Sequence, residues 1–307
     1  MRNCILTLSP HHLVIVFRFA TLPRVFGAHL SISGGLHNAL LSAEKLEMDT
    51  VQIFTKNQQQ WRVPPLSDET ITLWKSHAKR LKFKKTVAHA SYLINLAAAN
   101  PQFWRQSVEL FVEEIRRCHL LGIPYLVVHP GAHVGAGEEA GIEKVIASLN
   151  VIHDQIPEAA KSVTTCLEIT AGQGSCLGCT LEHLARIIER AKHPQRLAVC
   201  LDTAHLWAAG YDFRGRKYAK FRKRIESTVG ISAIKVWHLN DSKKELGSRV
   251  DRHDHIGFGK IGLDGFKAIV RDEKFKNVPK VFELPTGKSD DGRFWEERDL
   301  EALRSLI

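Results

Sequence analysis

The strongest constraint in this chain is an eightfold alternation of short apolar runs with longer stretches of helical periodicity. The runs are Val25–Ala28, Thr50–Phe54, Thr86–Ala88, Pro124–Val128, Thr164–Leu167, Leu197–Leu201, Ile234–Leu239 and Lys280–Phe282. Between them, apolar residues recur at i, i+3 and i+4, as Leu36, Ala39, Leu40, Ala43 and Leu46 do in the first interval. The same spacing predicts helices over Asp68–Leu81, Phe103–Leu121, Ile142–Ile152, Leu181–Ala191, Tyr218–Val229, Phe266–Arg271 and Glu296–Ile307. A strand that returns through a helix to another strand forms a parallel crossover. Near-continuous apolar strands suit a parallel sheet covered by helices. Eight such units predict a single-domain α/β fold, a (β/α)8 TIM barrel with its active site at the C-terminal strand ends. A doubly wound open sheet would carry a glycine-rich phosphate turn after its first strand, and Ser33-Gly34-Gly35 lacks that spacing.

The residues that end the runs are polar and of one chemical kind. His89, His129, Glu168, Asp202, His238 and Glu283 each follow or close a run. His205 lies three residues past Asp202, and Asp251 and His253 lie on the loop after the seventh run. A barrel opens all these ends onto one mouth, so residues distant in sequence converge there. Four carboxylates buried together need cations. Five imidazoles beside them, without the cysteine spacing of a structural zinc site, suit a hydrolytic centre holding several divalent ions. The net charge of +10 favours a polyanionic partner. Six irregularly spaced cysteines fit a reducing compartment better than a disulfide scaffold.

The order of motifs carries a resemblance. GAHLSISGGL (27–36), IFTKNQQQW (53–61), ASYLINLA (90–97), VHPGAH (128–133), LEITAGQGS (167–175), LDTAHLWAAGYD (201–212), HLNDSKKELGSRVDRHDHIGFGKIG (238–262) and the late Glu283 follow one another as in the endonuclease IV family. That family comprises zinc-dependent apurinic/apyrimidinic endonucleases. The resemblance implies three zinc ions: His89 and His129 on the first, Glu168 bridging it to the second, Asp202, His238 and Glu283 completing the second, and His205, Asp251 and His253 on the third. It implies hydrolysis of the phosphodiester 5′ to an abasic site in double-stranded DNA, giving a 3′-hydroxyl and a 5′-deoxyribose phosphate, with trimming of blocked 3′ ends. Glu168 is then the expected catalytic carboxylate. Tyr92 and Leu93 match the family's inserting loop, Gln59 stands in a second DNA-probing loop, and Lys243, Lys244, Arg249 and Arg252 are expected on phosphates. No nucleotide cofactor or membrane is expected, and the protein is expected to be a monomer in the cytoplasm.

Three departures from the family pattern stand out. Gln59 replaces an Arg, and a neutral amide supplies neither charge nor guanidinium stacking. Glu283 is followed by Leu284-Pro285-Thr286 instead of Glu-Thr. Cys176 and Cys179 form a Cys-x-x-Cys pair with no second pair to complete a metal site. Residues 1–24 fall outside the resemblance and are expected to be a disordered extension or the product of a start codon assigned too early, with 25–307 as the barrel domain; Met1–Ala43 contains no acidic residue. A sugar isomerase or epimerase on the same barrel is the main alternative, since it also sets His, Glu and Asp at strand ends but holds one or two ions. A catalytically silent binder of damaged DNA is a third reading, and the complete ligand set argues against it.

Overall fold

The computed structural model describes residues 24–83 and 85–307; the expected extension lies outside them apart from Arg24. Eight parallel strands form one sheet: β1 (Phe26–Ala28), β2 (Gln52–Phe54), β3 (Val87–His89), β4 (Tyr125–Val128), β5 (Thr164–Glu168), β6 (Leu197–Asp202), β7 (Ile234–His238) and, last in the chain, β10 (Lys280–Phe282). Consecutive barrel strands are neighbours, and β1 pairs with β10. The ring closes between β1 and β2 through a parallel bridge of His29 with Gln52, where Leu30 N–H donates to Gln52 O at 2.9 Å. The expected TIM barrel is the observed one.

The crossovers are helices α1 (His37–Lys45), α2 (Asp68–Arg80), α3 (Pro101–Leu121), α4 (Glu138–Gln155), α5 (Pro157–Ser162), α6 (Leu181–Arg190), α7 (Thr203–Ala208), α8 (Lys217–Thr228), α9 (Gly262–Arg271) and α10 (Trp295–Ser305). Local chemistry sets their ends. Asn100 accepts from the backbone N–H of Gln102 and Phe103 to start α3, Pro101 follows, and Gly122 at φ 73° ends it. Three short elements escape the sequence reading. Helices α5 and α7 have six residues each, and the hairpin β8 (Asp241–Ser242) with β9 (His253–Asp254) has two per strand. None is long enough for a period to develop.

The core has two layers. Ile53, Ala88, Leu126, Leu167, Val199, Leu201, Trp237 and Phe282 are buried between sheet and helices. Val87, Val127, Cys166, Ala198, Cys200, Val236 and Val281 form a separate cluster. These alternate along the strands with the first set, so they fill the barrel interior. Each also precedes a polar residue by two positions or begins a series that does: Val87 and His89, Val127 and His129, Cys166 and Glu168, Cys200 and Asp202, Val236 and His238, Val281 and Glu283. The pleat therefore aims all six polar side chains along the barrel axis, above an apolar plug.

Candidate metal centre

Glu168 lies at the middle of the mouth with no solvent exposure. Its Oε2 is 3.1 Å from His89 Nε2 and 3.1 Å from His129 Nε2. Its Oε1 is 2.8 Å from His238 Nδ1 and 3.4 Å from His205 Nδ1. On the second side, His238 Nδ1 also meets Glu283 Oε2 at 3.1 Å and Asp202 Oδ2 at 3.8 Å. On the third, Asp251 reaches His205 Nε2 at 3.2 Å and His253 Nε2 at 3.1 Å. Within three groups, His89–His129–Glu168, Glu168–Asp202–His238–Glu283 and Asp202–His205–His253, one donor atom of each residue lies within 4.8 Å of the others. All nine residues singled out in the sequence thus form one continuous cluster.

The backbone around them fixes which nitrogen faces inward. His89 Nδ1 lies 2.7 Å from Ala90 O, His205 Nδ1 2.8 Å from Ile169 O, and His253 Nδ1 2.9 Å from Glu283 O. His238 does the reverse, with Nε2 2.8 Å from Gln52 Oε1. Each outer nitrogen must donate to its oxygen, so each inner nitrogen presents a lone pair to a carboxylate. Two lone pairs at about 3 Å repel unless a proton or a cation lies between them. His253 Nε2 is buried, and although Asp251 Oδ1 lies 3.1 Å away the pair lacks hydrogen-bond geometry. These groups therefore fit divalent cations on an observation independent of the fold.

Charge distribution gives the same result. Burial alone would raise Glu168, but His238 and His129 hold its pKa well below the usual carboxylate range. Glu283 is likewise held low against burial by His238 and His29. Burial works against charge on His205, yet Asp202, Asp251 and Glu168 keep its pKa well above the ordinary imidazole value. His253 is pushed up to about 9, with Asp251 and Asp202 outweighing its burial. The carboxylates thus demand positive charge at the inner nitrogens, which metal ions supply as well as protons do.

Local sequence explains how the ligands are aimed. Asp202 is at once a cluster carboxylate and the N-cap of α7, where Oδ1 accepts from His205 N–H at 2.9 Å. One short turn thereby sets Asp202 and His205 side by side. Beside His129, Gly131 sits at φ 114°, where a Cβ would collide with Asn95 Oδ1. Asn95 clamps that turn, donating to Ala132 O at 2.9 Å and accepting from Ala132 N–H at 3.0 Å.

Several site residues were invisible in the sequence. Gln52 joins two ligands, because its Nε2 donates to Glu283 Oε1 while its Oε1 accepts from His238. Asn240 donates to Asp202 Oδ2 at 2.6 Å and accepts from Glu283 N–H at 2.7 Å. Cys200 groups with Glu168 and His238, and burial pushes its thiol up to about 12. For Gln52 the only available signal was that it lies two residues before the end of a strand, on the inward face.

The residues expected on DNA surround this mouth. Tyr92 is 59% exposed and packs edge-on to Phe54, with its ring 5.3 Å from that of His89. Leu93 is half-buried against the core, which leaves Tyr92 as the more prominent of the pair. Gln59 is exposed, as are Lys243, Lys244, Arg249 and Arg252. The basic loop is docked on α7: Gly247 and Arg249 N–H donate to Trp207 O and Ala208 O, and Trp207 Nε1 donates to Lys244 O at 2.9 Å. Cys176 is exposed, Cys179 is half-buried, and both thiols are free.

A closed parallel barrel with a cluster of His, Asp and Glu at its C-terminal mouth defines a metal-binding TIM barrel. A family model described as a xylose isomerase-like TIM barrel matches residues 40–306. Probable endonuclease 4 of Chloroflexus aurantiacus is 44% identical over 289 residues, spanning 93% of this chain and 99% of that protein. Probable endonuclease 4 of Geobacter sulfurreducens is 41% identical over 282 residues, spanning 92% and 94%. The crystal structure of endonuclease IV from Thermus thermophilus superposes with a TM-score of 0.81 at 32% identity, covering 92% of this chain and 98% of that one. The chain belongs to the endonuclease IV family. A D-tagatose 3-epimerase-like protein shares the fold, with a TM-score of 0.69 at 19% identity.

Proposed function

We propose that this chain hydrolyses the phosphodiester on the 5′ side of an abasic nucleotide in duplex DNA, using a centre of three zinc ions. The products are a 3′-hydroxyl and a 5′-deoxyribose phosphate, and the same centre trims blocked 3′ ends. The coarser part, a metal-using AP endonuclease of DNA repair, follows from family membership and from the cluster of donor groups.

The observation that carries the finer part is the sharing of Glu168. Its two oxygens face imidazole nitrogens on opposite sides, His89 and His129 on one and His238 on the other. A carboxylate so placed suits a bridge. His89, His129 and Glu168 would hold one ion, Glu168, Asp202, His238 and Glu283 a second, and His205, Asp251 and His253 a third. Imidazole nitrogen with carboxylate oxygen and no thiolate is the donor set of catalytic zinc. When bound, such ions lower the pKa of coordinated water and offset the charge of the scissile phosphate.

The protein's own groups do the rest. Gln52 and the carbonyls of Ala90, Ile169 and Glu283 hold His238, His89, His205 and His253 each in one tautomer, which pre-organises them for the reaction. Tyr92, exposed beside His89, is suited to fill the space left when the abasic nucleotide is flipped towards the mouth. Gln59 probes the duplex with a neutral amide. Lys243, Lys244, Arg249 and Arg252 neutralise backbone phosphates and carry no sequence information. The enzyme works as a monomer.

The epimerases of similar fold share architecture alone, and four carboxylates with five imidazoles exceed what one or two ions need. Elemental analysis of the purified protein tests the centre: about three zinc per chain is expected from three ligand groups, and one ion or none contradicts it.

A further inference from the structure

Under the two loops at the mouth lies a set of buried charges that the metal centre does not use. Lys56, Glu114 and Arg117 are 4%, 1% and 6% exposed. Charged side chains buried this deeply are costly unless they are paired or hydrogen-bonded. Here the neighbours are the backbones of both loops.

Arg117, on α3, donates through Nε and Nη2 to Thr55 O at 3.0 and 2.6 Å, and through Nη1 to Pro64 O at 3.0 Å. It thus spans both ends of the loop that carries Gln59. Lys56 folds back under the same loop and donates to Asn57 O at 3.1 Å and Gln60 O at 2.9 Å. Glu114, one turn before Arg117, accepts from Ser91 N–H at 3.0 Å and lies 3.8 Å from Lys56 Nζ. Ser91 closes the circuit, since its hydroxyl donates to Gln58 O in the first loop and accepts from Leu93 N–H at 3.3 Å in the second. The loops have no strand or helix pairing with each other, and these side chains replace it.

We propose that Lys56, Glu114 and Arg117 are positioning residues that lock the Gln59 loop and the Tyr92 loop into one preformed wedge for damaged DNA. This rests on the reading given under Proposed function, in which both loops meet the duplex. A wedge assembled before encounter avoids the ordering cost that two independent loops would incur on binding. Without the lock, each loop would have to be ordered by the DNA, and abasic duplex would lose its advantage over intact duplex.

The test compares two substrates on the zinc-loaded full chain. One is a duplex with a tetrahydrofuran abasic site, which needs the wedge. The other is bis(p-nitrophenyl) phosphate, which is too small to touch the loops and reads only the metal centre. In Lys56→Met and Arg117→Met, KM for the duplex should rise about tenfold with kcat within about threefold, the pattern of lost binding. Turnover of the small diester and zinc content should not change. Glu114→Gln keeps the acceptor for Ser91 N–H but removes the carboxylate beside Lys56, and should raise KM by about threefold, less than the other two charge variants do. Ser91→Ala removes the hydroxyl's ties to Gln58 O and Leu93 N–H, buries no unpaired charge, and should raise KM about threefold, which keeps the test open if the charge variants fail to fold. Unchanged KM in folded variants, or equal losses on both substrates, would overturn the lock. Wild-type protein that hydrolyses the small diester but has no preference for abasic over intact duplex would overturn the underlying reading instead.

Discussion

Gln52 links two of the proposed zinc ligands on the second side of the cluster, accepting from His238 and donating to Glu283. It is fully buried, so the amide has no water to fall back on. Gln52→Leu preserves volume and removes both contacts, freeing His238 to take the wrong tautomer. Zinc affinity should fall about 10- to 100-fold, measured by competition with a chromogenic chelator; unchanged affinity would make Gln52 merely structural. Gln52 also marks the limit of sequence reading at this scale. Seven of the nine candidate ligands were legible because each ends an apolar run or, as His205 does, lies three residues past one that does; Asp251 and His253 stood out only on the loop after the seventh run. Gln52, Asn240 and Cys200 were not legible, because their partners are distant in the chain, with His238 186 positions from Gln52. An inward-facing residue inside a parallel strand looks like its outward neighbours when both faces are buried.

At the scale of elements, α7 and the β8–β9 hairpin with its loop carry His205, Asp251 and His253, and as elements they were the least legible. Six residues of helix and two-residue strands lie below the length at which a period can be read. The long helices and all eight barrel strands were visible, with ends shifted by a few residues, because a continuous apolar run needs no partner to be recognised. Between β8 and β9 runs the basic loop, held by backbone bonds to α7 and so presented as a rigid unit. Lys243 and Lys244 are exposed on it and free of carboxylate partners among the described ion pairs. If each neutralises one phosphate, the double variant Lys243→Ala, Lys244→Ala should flatten the plot of log affinity against log salt by about two. Fluorescence anisotropy on abasic and intact duplexes over a salt series reads that slope. The loss should be equal on both duplexes, since phosphate contacts position without discriminating; an unchanged slope would remove the loop from the interface.

The whole molecule separates function from stability along the barrel axis. The C-terminal mouth holds the candidate ligands, whereas the opposite end holds Lys280, fully buried at the start of β10, where its ammonium donates to Phe275 O and Val278 O. Burial first, then Arg24 and Lys85, bring its pKa down to about 7. Above the unfolded value of about 10.4 the group is neutral in both states; as pH falls towards 7 the unfolded chain takes up a proton that the folded one refuses. Stability from this group therefore declines as pH falls from about 10 to about 7 and is flat below. The melting temperature of wild type relative to Lys280→Met should rise with pH across that window, and a pH-independent difference would mean Lys280 is charged in the fold. Among the described residues no helix is long and apolar enough to cross a membrane.

In the proposed function, three zinc ions held by these nine residues hydrolyse DNA 5′ to an abasic site. Incision of an end-labelled duplex carrying a single tetrahydrofuran residue tests it most directly, because this analogue cannot undergo β-elimination. One nick immediately 5′ to the analogue is expected, leaving a 3′-hydroxyl that a polymerase extends. The nick should need no added magnesium, vanish with a zinc chelator, return with zinc, and fall by at least about 100-fold in Glu168→Gln while duplex binding is retained. No incision by the zinc-loaded protein, or equal loss of cutting and binding in Glu168→Gln, would contradict it.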